Sequence, residues 1–295
     1  VYALSRGMGA HNVTRNGIRR PLMQYMGGKW RIAPWIIEHM PAHRCYVELF
    51  GGAASVLLSK PPAPIEVLND LDDEVNTLYR VLRNTEQLRA LMRALKRTPY
   101  GRSAYLEAIA PAGDCDQVEI ARRLIVRGAM GLRAYSGARC ATTFASYPSL
   151  LASSWRGHHR ILPLIARRLH EVVIEHRSAI DLVKLYDRPD TLYYADPPYL
   201  PETRTSETRY SHEMTVVDHE ALLKRLCAID GIALISGYPS ELYNDLLAGW
   251  MRVTRRARVF GTAGDLNRQE MLWISPRAAD VLQQQKPQKN FAKTA

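Results

Sequence analysis

An apolar, β-prone run, Thr191-Leu192-Tyr193-Tyr194-Ala195, passes without a spacer into Asp196-Pro197-Pro198-Tyr199. Neither proline donates a main-chain hydrogen bond and both hold φ near one value, so a strand entering this tetrapeptide stops there. A short, continuous apolar run of this kind reads as a strand buried on both faces, as in parallel sheets covered by helices. In such open sheets, ligands bind beyond the carboxyl ends of the strands. The tetrapeptide falls at that position, so it constrains both the architecture and the place where chemistry occurs.

Other segments repeat the strand-then-helix pattern. Cys45–Leu49 reads as a strand, followed by Phe50-Gly51-Gly52 and a helix from Ala53. Ile65–Asn69 is a second strand. Asp72 and Asp73 open the next helix, where Val75, Leu78, Tyr79 and Leu82 share one face, as do Leu88, Leu91, Met92 and Leu95 further on. Glu171–Glu175 and Ile232–Ser236 read as strands, and Met251–Phe260 with Glu270–Ser275 as an antiparallel pair. Residues 85–168 carry helical patterns and no convincing buried strand. The expected fold is α/β, a Rossmann-like mixed sheet formed by residues 21–84 and 169–276, with 85–168 as a helical insert. Residues 1–20 form a basic lead-in and 277–295 a polar tail.

Composition narrows the function. Hydrophobic residues make up 46% of the 295, enough for a substantial core. There is neither an apolar run long enough to span a membrane nor an apolar signal core at the start. The four cysteines are Cys45, Cys115, Cys140 and Cys227. They form no Cys-x-x-Cys pair, and His158, His159 and His212 lack ligand spacing, so neither a metal site nor a disulfide framework is expected. A reducing cytoplasm fits. The formal charge of +11 favours a polyanion, with arginines gathered at 122–139 (Arg122, Arg123, Arg127, Arg133, Arg139) and at 252–258 (Arg252, Arg255, Arg256, Arg258).

Three motifs carry the chemistry. In the first, the Asp196 carboxylate and the Pro197 carbonyl make two acceptors on a turn stiffened by Pro197 and Pro198. Two fixed acceptors suit an amino group with two hydrogens and a lone pair delocalised into a ring, such as N6 of adenine, and Tyr199 offers a ring for stacking. In the second, Glu48-Leu49-Phe50-Gly51-Gly52-Ala53-Ala54-Ser55 lets a ligand approach the backbone closely. Asp70 ends the next strand about twenty residues on, the usual position of an acid that binds ribose hydroxyls. The pair indicates an adenosine-bearing cofactor. The third is Tyr25-Met26-Gly27-Gly28-Lys29-Trp30, whose Lys29 could meet an anionic group such as a cofactor carboxylate. Ser236-Gly237-Tyr238 either shapes a base pocket or serves packing.

In order along the chain, these segments resemble the Dam-like (D12 class) adenine-specific DNA methyltransferases. The resemblance runs from about Leu22 to Ile274. It implies S-adenosylmethionine as cofactor, duplex DNA as partner and base flipping before transfer to N6. By the resemblance, Tyr25, Lys29, Asp70 and Asp196 fall on cofactor-contacting positions, joined by Gly28, Glu48, Phe50, Gly51 and Gly52 from the motifs. The segment Arg127 to Tyr135 leads into a DNA-reading hairpin, making Arg127, Arg133, Tyr135 and Arg139 candidate DNA contacts. Ala54 stands where many members carry a second glycine. No recognition sequence follows, because Gly137–Tyr147 matches the Dam hairpin only loosely. The rival readings are a methyltransferase of another amino group, in RNA or protein, and an inactive DNA-binding module.

Overall fold

The computed structural model describes residues 17–131, 144–145, 155–203, 211–259 and 266–285, without the side chains of 256–259 and 266–268. Its seven strands are β1 (Cys45–Glu48), β2 (Ile65–Asn69), β3 (Val173–Glu175), β4 (Thr191–Ala195), β5 (Ile232–Gly237), β6 (Met251–Val259) and β7 (Leu266–Ile274). They form one sheet in the order β3-β2-β1-β4-β5-β7-β6. The first five strands run parallel, and β7 lies antiparallel between β5 and β6.

Alternation within the central strands sends side chains to two apolar layers. Tyr46, Leu68, Leu192, Tyr194 and Leu234 face one layer, while Val47, Val67, Tyr193, Ala195 and Ile235 face the other. The first layer is closed by α1 (Ala33–Glu38), α2 (Ser55–Ser59), α3 (Asp73–Arg83), α4 (Thr85–Arg97), α5 (Arg102–Ile109), α6 (Gln117–Met130) and α7 (Leu162–Leu169), with α11 (Pro276–Gln285) at its end. The second is closed by α8 (Ala179–Tyr186), α9 (Val216–Cys227) and α10 (Glu241–Leu246). Burial on both sides explains why β1, β4 and β5 are buried throughout.

The helical stretch after α3 shares the sheet's core. Leu91, Leu95, Tyr105, Leu124 and Ile125 join the same cluster as Leu57, Leu78 and Leu82. Side-chain caps set two of its helix starts, those of α4 and α6. Asn84 accepts from the Glu86 and Gln87 N–H groups, each at 3.0 Å, and Asp116 accepts from Glu119 N at 2.8 Å. No helix among the described residues is long and apolar enough to cross a membrane.

Several expected boundaries shift, most by one residue. The strand read at Glu171–Glu175 begins at Val173, because Glu171 and Val172 complete the turn leaving α7. The helix read from Ala53 begins at Ser55, because Gly52 and Ala54 take positive φ of 49° and 52° and wind a tight turn first. The final pair is longer than expected on its second strand, with Val259 opposite Leu266.

The chain runs outward from β1 to β2 and β3, then returns to β4 on the other side of β1. This reversal opens a crevice beyond the carboxyl ends of β1 and β4.

Candidate active site

The crevice holds a cavity of about 400 Å³. Of the expected site residues, Tyr25, Gly28, Lys29, Glu48, Phe50, Gly51, Gly52, Asp70, Asp196 and Pro198 line it. Pro197 and Tyr199 lie on the same turn, outside that lining.

One wall is backbone. A Cβ on Gly51 would meet Leu68 Cδ1 at 2.9 Å and the Asn69 carbonyl at 3.1 Å. One on Gly52 would stand 2.8 Å from the Tyr25 ring. Ala54, next in this turn, adopts left-handed φ 52°, ψ 35°. Glycine occupies that region freely, whereas alanine pays roughly 1–2 kcal/mol for it. The departure from the family pattern therefore falls on a strained backbone position.

The end of β2 ties this loop down. Asn69 Nδ2 donates to the Leu49 carbonyl at 2.9 Å and to the Arg177 carbonyl at 3.0 Å. Asp70 accepts from Gly52 N at 2.6 Å and from Asp72 N at 2.8 Å. Burial nevertheless pushes the Asp70 carboxyl above its ordinary range, partly offset by those two N–H bonds. Glu48 accepts from Tyr46 Oη at 2.7 Å and Leu57 N at 2.8 Å, and burial pushes it up to about 8. Ser55 Oγ is buried near the floor without a hydrogen-bond partner among the described residues.

The opposite wall carries the charge. Lys29, 6% exposed, donates to the Gly27 carbonyl at 2.9 Å and lies 2.8 Å from Asp196 Oδ1. That contact is a close ion pair, and a carboxylate has lone pairs beyond the one it engages. Burial pushes Asp196 up to about 6, against the pull of Lys29, and the charge of Glu270 adds to the rise. Lys29 Nζ also stands 4.8 Å from the Tyr199 ring centroid and 3.5 Å from Glu270 Oε1. The Tyr199 hydroxyl donates to Glu270, and its ring meets Tyr238 edge-on at 4.8 Å. Beneath them, the Tyr194 and Ser236 hydroxyls share a 2.8 Å hydrogen bond across β4 and β5.

The expected DNA contacts fare differently. Arg127 is a correction: it is 4% exposed, bonded to Glu74 Oε2 at 2.6 Å and the Ala108 carbonyl at 2.9 Å. Its place on the core-facing side of α6 removes it from a DNA surface. Arg122 and Arg123 pair with Glu119 in the same way. Arg133, Tyr135 and Arg139 lie outside the described residues. Arg255, on β6, is exposed.

Sequence reasoning missed Glu270 and assigned Asp72 only a helix start. Asp72 also accepts from Ser211 Oγ at 2.9 Å, bringing the segment before α9 to the cavity rim. Glu270 had a signal, a lone carboxylate opening the apolar run Met271-Leu272-Trp273-Ile274. No group of His, Cys, Asp and Glu among the described residues could hold a metal ion.

Residues 25–256 match the family described as D12 class N6 adenine-specific DNA methyltransferase. No curated protein matches the chain by sequence.

Proposed function

From the premise that the chain belongs to the D12 class of N6 adenine-specific DNA methyltransferases, we propose that its cavity holds S-adenosylmethionine and that Asp196-Pro197-Pro198-Tyr199 receives an adenine turned out of duplex DNA. The Asp196 carboxylate carries this reading: it is 15% exposed, raised to about 6, and placed on the wall of a glycine-lined cavity.

The residues fit the cofactor. Gly51 and Gly52 leave bare backbone on the cavity wall, where a Cβ would collide with Leu68 and Asn69 or with the Tyr25 ring; the buried Ser55 hydroxyl is available, and Asp70 and Asp196 mark two separate acidic points. A volume of about 400 Å³ suits a nucleoside-sized ligand. Asp70 is placed for ribose hydroxyls, and Phe50, Ile180 and Met214 offer apolar walls to a base. When bound, the cofactor supplies an electrophilic methyl group on a sulfonium sulfur.

The chain's own groups deal with the adenine. Asp196 and the Pro197 carbonyl accept the two N6 hydrogens, which favours a pyramidal nitrogen with a localised lone pair. N6 gains positive charge as it gains the methyl group, and the ionised Asp196 stabilises that charge. A group near 6 is also suited to take the departing N6 proton and pass it to solvent. None of this is possible while N6 is paired in the duplex, hence the flipped base, with the Tyr199 ring as a stacking surface. The +11 charge and the exposed Arg255 on β6 support phosphate contacts, and Arg133, Tyr135 and Arg139 remain the proposed readers of sequence.

The test uses labelled S-adenosylmethionine with unmethylated duplex DNA, digestion to nucleosides, and a search for N6-methyladenine. The expected product appears with the native chain and is lost with Asp196→Asn, while the fold persists. Product formation by the variant at the native rate would overturn the assignment of Asp196. A parallel reaction on single-stranded DNA completes the test, and label confined to it would overturn the duplex substrate.

A further inference from the structure

We propose that Glu270 is a positioning residue of the transfer reaction, holding the Tyr199 hydroxyl and sharing Lys29 with Asp196. The proposal rests on the reading of Asp196 given above.

Glu270 lies on β7 one residue before Met271, which pairs with the last residue of β5, Gly237. It is therefore the first β7 residue past the end of β5, on the catalytic edge of the sheet. It is 4% exposed. Two and four residues on, Leu272 and Ile274 are fully buried in the core. A strand built for stability alone would continue the apolar series, because a buried carboxylate loses hydration that its partners must replace.

Its partners are the informative part. Tyr199 donates to it from the turn after β4, and Lys29 stands 3.5 Å away on the loop before α1. Glu270 thus joins two motifs about 170 residues apart through groups that touch the proposed reacting centre. Two consequences follow. The Tyr199 ring is held by its hydroxyl and by the edge of Tyr238. Lys29, lying between two carboxylates, cannot commit its whole charge to Asp196, which leaves Asp196 part of its acceptor capacity for N6. The charged and titratable groups around Asp196 come from every adjoining element: Lys29, Glu48 on β1, Tyr194 on β4, Tyr199, Tyr243 on α10 and Glu270 on β7. Burial and Lys29 act most strongly on Asp196, and Glu270 raises it further.

The experiment measures single-turnover methylation of duplex DNA at saturating cofactor from pH 5 to 9. It compares the native chain with Glu270→Gln, Tyr199→Phe and the double variant, alongside cofactor affinity and denaturant unfolding. Glu270→Gln keeps the shape and removes the charge. We expect a rate lower by roughly 10- to 100-fold with cofactor affinity within about twofold. The acid limb of the rate profile should move to lower pH, because Asp196 loses a negative neighbour and gains more of Lys29. The Glu270→Gln effect on rate should shrink in the Tyr199→Phe background, because part of it runs through the bond between the two residues.

A folded Glu270→Gln chain with the native rate would overturn the proposal. So would a slower chain whose acid limb stays in place, since a merely structural role predicts that result. If Glu270→Gln does not fold, Glu270→Asp decides: it keeps the charge with a shorter reach, so the limb should stay while the rate falls. A native rate there would overturn the proposal. Native activity in Asp196→Asn would instead remove the reading of the site on which the proposal stands.

Discussion

Lys29 and Lys60 are both buried lysines held by carboxylates, and they sit at opposite ends of the sheet's parallel strands with opposite balances of charge. Lys60 donates to Glu66 at 2.6 Å and to the Pro61 carbonyl at 2.8 Å, with its ammonium 4.5 Å from the Tyr46 ring centroid. Arg168 gives the same carboxylate two more bonds, at 2.5 and 2.8 Å. Two cations thus converge on one acid. Burial pushes Glu66 up, but the Arg168 and Lys60 bonds more than offset it and hold it below its ordinary range. At the proposed catalytic edge, one cation meets two acids, and Asp196 rises to about 6. The first arrangement ties β2, α2 and α7 together. The second keeps acceptor capacity beside a cavity, which suits a reaction that develops positive charge.

The largest effect is expected at the proposed catalytic cluster. Asp196→Asn should lower methyl transfer by about 10³-fold or more, read as N6-methyladenine formed per enzyme. The same substitution should stabilise the fold at neutral pH. Because the Asp196 pKa is raised from 3.8 to about 6, its folded state favours the protonated form. That contribution is complete below the unfolded value and is lost as pH rises through about 6. Urea unfolding should therefore show the variant more stable than the native chain at pH 7, with the gap closing below about pH 4. A variant less stable at pH 7 would break the contrast between the clusters. In the native chain the same titration predicts that kcat/KM falls as pH drops through about 6.

The reverse pattern is expected at the other cluster. Glu66→Ala strips Lys60 and Arg168 of their shared acid and should cost about 3–5 kcal/mol in denaturant unfolding. Transfer per folded molecule should be unchanged, and a loss of rate there would show that the clusters are coupled. Arg127→Ala should cost about 1–3 kcal/mol, since its partner Glu74 is partly exposed. DNA affinity should stay at the native level, and a weaker affinity with unchanged stability would restore Arg127 to the DNA surface. The smallest effect is at Ala54→Gly. Relief of the left-handed alanine, less the entropy of the added glycine, should raise stability by about 0.5–1 kcal/mol. A loss of stability would mean that the alanine methyl packs well enough to offset its backbone strain.

How much was legible varies residue by residue. Asp196 could be read because its signal is local: an apolar strand, two prolines and an acid in nine consecutive residues. Gly51, Gly52 and Asp70 could be read because the spacing from one strand end to the next is short. Arg127 was misread as an arginine among arginines, since which side of α6 faces the core depends on what packs there. Glu270 was missed because its partners are Tyr199 and Lys29, far away in the chain. Its strand was recognised and its side chain was not.

The residues alone therefore determined the alternation of strands and helices, the turns at strand ends, and the place of the tetrapeptide after β4. Backbone dihedrals, proline geometry and apolar periodicity act over a few residues and leave a mark at each position. Tertiary structure decided the charge balance: which acids share Lys29, which share Lys60, and which arginines are used up inside the core. Ion pairs form between groups that the sheet order brings together, and their strength depends on burial, which no stretch of sequence specifies by itself.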